Sequence, residues 1–125
     1  MGQLLKPTAL VVEDDADQRA LVAALLEECD LKVVECETAE AAAVAMEHLR
    51  DTLVMIFVDV NLAGHMNGVE LATLARKKLP NVSVVLTSGS DLSASHLPKI
   101  PADTLFMQKP WRALDLLRAA ESARN

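Results

Sequence analysis

The chain has almost no aromatic side chains: Phe57, Phe106 and Trp111 make up the set, and tyrosine is absent. A sandwich or barrel core built on aromatic residues is therefore excluded, and the interior must come from Val, Leu, Ala and Met, which suit a parallel sheet covered by helices. Cysteine is scarce too. Cys29 and Cys36 are too few for a disulfide scaffold and lack the spacing of a zinc site, so both read as reduced, partly buried thiols. His48, His65 and His96 are scattered, with no Cys or His at ligand spacing, which leaves them surface or packing roles. Basic charge is in deficit: 12 Lys and Arg against 18 Asp and Glu give a net charge of −6, which repels a nucleic-acid backbone. No apolar run approaches the roughly 18 residues that span a bilayer. The N-terminus lacks the pattern of a signal peptide, and Lys6 stands where a myristoylation signal needs Ser or Thr. The expectation is a cytoplasmic protein without a membrane anchor.

What is present is a regular alternation. At 125 residues and 51% hydrophobic content the chain can fill one core, and neither a linker nor an internal repeat divides it. Short β-branched runs at 9–12, 32–35, 53–58, 82–86 and 104–107 alternate with Ala- and Leu-rich stretches of helical period. This is the pattern of an α/β domain with a parallel sheet and crossover helices. One helix is expected over 17–28, with Leu21, Ala24, Leu25 and Glu28 at helical spacing, and a second from an N-cap at Thr38 to Arg50. Asn67 followed by Glu70 at the third position resembles a capping box, opening a helix that stops near Leu79 before Pro80. Pro110 fits the first turn of a last helix over 111–123. The stretch 88–101, rich in Gly, Ser and Pro, leaves room only for a short fourth helix, about 92–97.

Ligands of open parallel sheets collect beyond the carboxyl ends of the strands. Glu13, Asp14 and Asp15 follow the first strand, Asp59 the third, Thr87 the fourth and Lys109 the fifth. Carboxylates gathered there repel one another unless a divalent cation sits among them, and hard oxygen donors with open water positions suit Mg²⁺. A cation beside a carboxylate, an ammonium and a hydroxyl cradles a phosphoryl group. Asp59 is then the nucleophile, and the acyl phosphate it forms is labile enough to be a reversible signal.

The segments Val11-Val12-Glu13-Asp14-Asp15, Phe57-Val58-Asp59-Val60-Asn61-Leu62, Val85-Leu86-Thr87-Ser88-Gly89 and Met107-Gln108-Lys109-Pro110-Trp111 resemble the four signature segments of response-regulator receiver domains. The resemblance covers nearly the whole chain. It implies a flavodoxin-like doubly wound sheet of strand order 2-1-3-4-5, Mg²⁺ dependence, and phosphotransfer from a histidine kinase or histidine phosphotransfer protein. Carried over by motif, Asp59 is the phosphoacceptor and Asp14 the direct metal carboxylate, with Glu13 reaching the metal through water and Asn61 supplying its backbone carbonyl. Thr87 bonds the phosphoryl oxygens and couples the site to the following loop, while Lys109 pairs with those oxygens. Small Ser88 leaves room for the phosphoryl group, and Asn61 and Gly89 flank the site and tune its lifetime. Phe106 holds the aromatic switch position, where many relatives have Tyr. Asp15 has a weaker claim on the metal and reads as a capping or loop carboxylate.

The sequence departs from the family in two places. The loop Leu62-Ala63-Gly64-His65-Met66-Asn67-Gly68 has Ala63 where Pro is usual and is about one residue longer than the common form. The stretch 88–101 replaces much of the fourth helix, so the usual dimer is not assumed and the oligomeric state stays open. The reading is one receiver domain over 1–125 without an output domain, a signalling protein rather than an enzyme beyond catalysing its own phosphorylation and dephosphorylation. Its output is contact with an unnamed downstream protein or a phosphorelay. Two alternatives stand beside it: a degenerate receiver that docks without phosphorylation, and a small Mg²⁺-dependent phosphohydrolase of the haloacid-dehalogenase type.

Overall fold

A computed structural model describes residues 6–89 and 100–125. The apolar runs become five strands, β1 (Thr8–Val12), β2 (Lys32–Cys36), β3 (Leu53–Asp59), β4 (Ser83–Ser88) and β5 (Thr104–Gln108). They form one parallel sheet in the order β2-β1-β3-β4-β5. Among the described residues the helices are α1 (Ala16–Glu27), α2 (Ala39–Leu49), α3 (Gly68–Lys78) and α4 (Ala113–Arg124). This is the flavodoxin-like fold. The expected short helix between β4 and β5 lies outside the described residues.

Strand alternation divides the core in two. Leu10, Val12, Ile56, Val58, Val84 and Leu86 face α2 and α3, whereas Ala9, Val11, Met55, Phe57, Val85 and Met107 face α1 and α4. Almost every one of these positions is fully buried, as in parallel strands covered on both sides.

The caps form as the sequence predicts. The Asp15 side chain accepts from Gln18 N, that of Thr38 from Ala41 N, and Asn67 and Glu70 make a reciprocal capping box. In α1 the buried residues are Val22, Ala23 and Leu26, while Leu21 is 56% exposed. Apolar residues at 21, 22, 23, 25 and 26 offer two stripes, and packing against the sheet selects one of them. One expectation is corrected. The last helix starts at Ala113, with Arg112 as N-cap and its backbone N–H on Asp115 Oδ2 at 3.2 Å. Lys109 and Pro110 instead form a bend after β5, and Trp111 meets Phe57 edge to face at 5.8 Å.

Arg76, near the end of α3, ties the far edge of the sheet together. Its Nη1 donates to the carbonyls of Pro80 at 2.8 Å and Val82 at 3.0 Å, and its Nη2 donates to that of Asp103 at 3.0 Å. Lysine, with one ammonium, cannot span those carbonyls. Arg76→Lys is expected to lower stability by about 2 kcal/mol, read as a shift in the urea midpoint with the slope unchanged.

Candidate functional site

The site follows from strand parity. Residues 9 and 11 of β1, 55 and 57 of β3, 85 of β4 and 107 of β5 point to the α1/α4 side. Continuing each alternation by one step gives Glu13, Asp59, Thr87 and Lys109 on that same side, at the carboxyl end of the sheet. The hydrogen-bond ladder also runs past the strands. Glu13 N donates to Cys36 O at 3.1 Å, Val60 N to Thr87 O at 2.8 Å and Lys109 N to Ser88 O at 2.8 Å. Each functional side chain therefore hangs from paired backbone.

Lys109 Nζ lies 2.8 Å from Asp59 Oδ2 and 3.3 Å from Glu13 Oε1. Both carboxylates are buried, Asp59 5% and Glu13 2% exposed, so one ammonium serves two acids out of water. Asn61 N donates to Asp59 Oδ1 at 2.9 Å, and Asp15 N donates to Glu13 Oε2 at 3.1 Å. Burial pushes the Glu13 carboxyl up to about 7; the Asp15 N–H opposes this and the neighbouring Asp59 charge adds to it. Burial works against the charge on Lys109, but its hydrogen bond to Asp59 and the charges of Asp59 and Glu13 outweigh that and hold its pKa above the ordinary lysine value.

Thr87 pairs with Asp59 in the sheet register. It is completely buried, and its Oγ1 has no hydrogen-bond partner among the described residues. A buried hydroxyl without a partner on the residue paired with Asp59 is an unused donor at this end of the sheet. Ser88 is buried and ends β4, while Gly89 is exposed, and a Cβ there would meet only Lys109 Cδ, at 3.8 Å. Asp14 is exposed, so the structure brings Glu13 rather than Asp14 against Asp59 and Lys109. Phe106 is half-buried, pairs with Leu86 and packs into the α2/α3 side of the core, one residue out of phase with Thr87.

The donor set fits a small divalent cation that keeps several waters. It offers the Glu13 and Asp59 carboxylates, exposed Asp14 nearby in sequence, and the main chain at Asn61, all hard oxygen. It does not form a closed cage: among the described residues no group of three or more His, Cys, Asp or Glu could hold a metal by itself.

Sequence reasoning misses two contributors. Gly68 opens α3 with its N–H on Val60 O at 3.1 Å, and a Cβ there would stand 2.1 Å from the carbonyl oxygen of Asp59. Arg19, on α1, donates from Nη1 to Glu13 O at 2.7 Å and from Nε to Glu35 at 3.2 Å, which pins the turn after β1. Neither contact has a local signal, since both depend on which elements the fold brings together.

Residues 9–121 match the family model of the response regulator receiver domain. The nitrogen assimilation regulatory protein NtrX of Azorhizobium caulinodans is 30% identical over 116 residues, 91% of this chain and 25% of that protein. The chain thus spans about a quarter of the length of that curated relative. The receiver domain of NtrX from Brucella abortus superposes with a TM-score of 0.79 at 29% identity, over 92% of this chain and 96% of that one. A response regulator receiver domain protein from Clostridium thermocellum gives 0.84 at 17% identity, over 94% and 93%, a likeness of fold. Among the described residues no helix is long and apolar enough to cross a membrane.

Proposed function

The chain belongs to the response regulator receiver family, the signalling domains of two-component systems, and from that premise we propose that it is a phosphorylation switch whose acceptor is Asp59. The observation that carries the reading is Lys109 Nζ, bridging the buried carboxylates of Asp59 and Glu13, on the same side of the sheet as the Thr87 hydroxyl, which has no partner among the described residues.

An Asp59 carboxylate oxygen attacks the phosphorus of a phosphohistidine donor. A P–O bond to Asp59 forms as the donor P–N bond breaks, and the imidazole departs with the bonding pair. Asn61 N–H holds the other side of the carboxylate in place. Lys109 exchanges a carboxylate partner for a phosphoryl oxygen, and Thr87 Oγ1 gains the acceptor it lacks. Asp14, Asp59 and the Asn61 carbonyl, with Glu13 through water, would hold Mg²⁺, which would neutralise charge spreading over the phosphoryl oxygens. Small Ser88 and Gly89 leave the approach open. The movement of Thr87 toward the phosphoryl group is passed to the following loop and to Phe106, which can shift inward as an apolar plug but has no hydroxyl to hydrogen-bond.

The donor is a histidine kinase or histidine phosphotransfer protein, and the output is contact with a downstream protein or transfer onward in a phosphorelay. The setting is the cytoplasm. The net charge of −6 disfavours direct nucleic-acid binding. Intact mass spectrometry after incubation with acetyl phosphate tests the reading, with and without Mg²⁺. A single phosphoryl gain that requires Mg²⁺ is expected. No gain from acetyl phosphate or from a phosphorylated histidine donor would favour a fixed docking module.

A further inference from the structure

The loop that leaves Asp59 is held by a residue of a different helix. Glu40 stands in the first turn of α2, and its Oε2 accepts the backbone N–H groups of His65 and Met66, both at 2.8 Å. Its own backbone N–H, then those of Met66 and His65, hold its carboxyl below the usual carboxylate range. Gly64 brings the chain past the other oxygen with φ +107°, and a Cβ there would lie 2.9 Å from Glu40 Oε1. The loop is closed at its base by Gly68 N on Val60 O at 3.1 Å, and Asn61 N reaches Asp59 Oδ1 at 2.9 Å.

We propose that Glu40 is a positioning residue for the acceptor: by fixing the tip of this loop it fixes Asn61, and through the Asn61 N–H it orients the Asp59 carboxylate. The inference rests on the reading of Asp59 as the acceptor. Ala63 leaves the loop without the stiffness of a proline, and every added residue widens the conformations that must be lost for Asn61 to stay in place. Glu40 supplies that restraint from outside the loop, at the N–H groups that would otherwise go to solvent. A longer loop and an external anchor thus form one device.

Misplacing a reacting group by about an ångström can cost up to about 100-fold in rate. Glu40 acts through one further hydrogen bond, so Glu40→Ala is expected to slow phosphoryl uptake about tenfold. Because a single oxygen accepts both N–H groups, the amide oxygen of glutamine can replace it, and Glu40→Gln should stay within about threefold of wild type. Uptake is followed by intact mass with acetyl phosphate and Mg²⁺, at a temperature where circular dichroism shows each variant folded. In the unphosphorylated proteins the Asn61 amide resonance should move in Glu40→Ala and return in Glu40→Gln. Wild-type uptake by Glu40→Ala, an Asn61 amide that stays put, or a Glu40→Gln as slow as the alanine variant would overturn the proposal. If wild type and Asp59→Asn behave alike toward the donor, the acceptor reading has failed instead. The Asn61 amide, which needs no donor, then still decides the role of Glu40.

Discussion

Asp59→Asn is expected to end phosphoryl uptake altogether and, in the metal-free protein at pH 8, to unfold at a higher urea concentration than the wild type. The first effect follows from the chemistry, since an amide oxygen cannot form the acyl phosphate. The second follows from burial. Two acids that are 5% and 2% exposed share the single ammonium of Lys109. The cost is visible at Glu13, whose carboxyl is pushed from 4.5 to about 7. Because its folded pKa lies above its unfolded one, the unfolded chain releases this proton first as pH rises. Stability is therefore intact below about 4.5 and lost progressively up to about 7, by at most about 3 kcal/mol. Asparagine removes the Asp59 charge, keeps an oxygen for Asn61 N–H and leaves Lys109 to Glu13. A gain of about 1 to 2 kcal/mol at pH 8, shrinking as the pH falls toward 4.5, is expected. Urea titrations in EDTA at both pH values check it, and a variant less stable than wild type at pH 8 would show that Asp59 supports the fold.

Gly68→Ala should be the costliest glycine-to-alanine change among the described residues. Alanine is ordinarily the better helix residue by up to about 1 kcal/mol. Here the new Cβ would stand 2.1 Å from Asp59 O and 2.8 Å from the Asp59 carbonyl carbon and Val60 Cα, backbone atoms of a central strand that cannot step aside. Relief requires lifting the start of α3 off the sheet, which breaks the bond from Gly68 N to Val60 O. A net loss of about 3 kcal/mol or more is expected, with slower phosphoryl uptake because the displaced backbone carries Asp59, the proposed acceptor. Urea unfolding and uptake kinetics on the same sample would show both. A neutral or stabilised variant would mean that the helix does not approach the strand this closely.

Much of this was open to sequence reasoning because it is local. Strands showed as apolar runs, caps as Asp15, Thr38 and the Asn67–Glu70 pair, and the site as acids, a threonine and a lysine one or two residues past the apolar runs. The parity argument even puts Glu13, Asp59, Thr87 and Lys109 on one side once the strand bounds are known. What stayed hidden depends on partners distant in sequence. Leu21 and Leu26 look alike to a periodicity argument, and only the packed sheet decides which is inside. Gly68, Arg76 and Glu40 carry no motif for what they touch, because those partners come from other elements. The burial of Glu13 beside an exposed Asp14 has no signal in the motif either. Burial depends on where the last rung of β1 falls.

The ladder bonds that continue past the strands have a consequence for how the protein breathes. The amides of Glu13, Val60 and Lys109 are tied to carbonyls of neighbouring strands as firmly as residues in the middle of the sheet. Sheet amides of this kind exchange with solvent only in large openings, whereas loops open cheaply. The Asp59 carboxylate and Lys109 therefore sit beside the part of the chain expected to be last to let go. Opening of the loops is therefore expected to leave both in place, which slow hydrogen exchange of these three amides would show. Any message leaving this site has to be carried by the segments that hang from it, with the sheet as the unmoving frame.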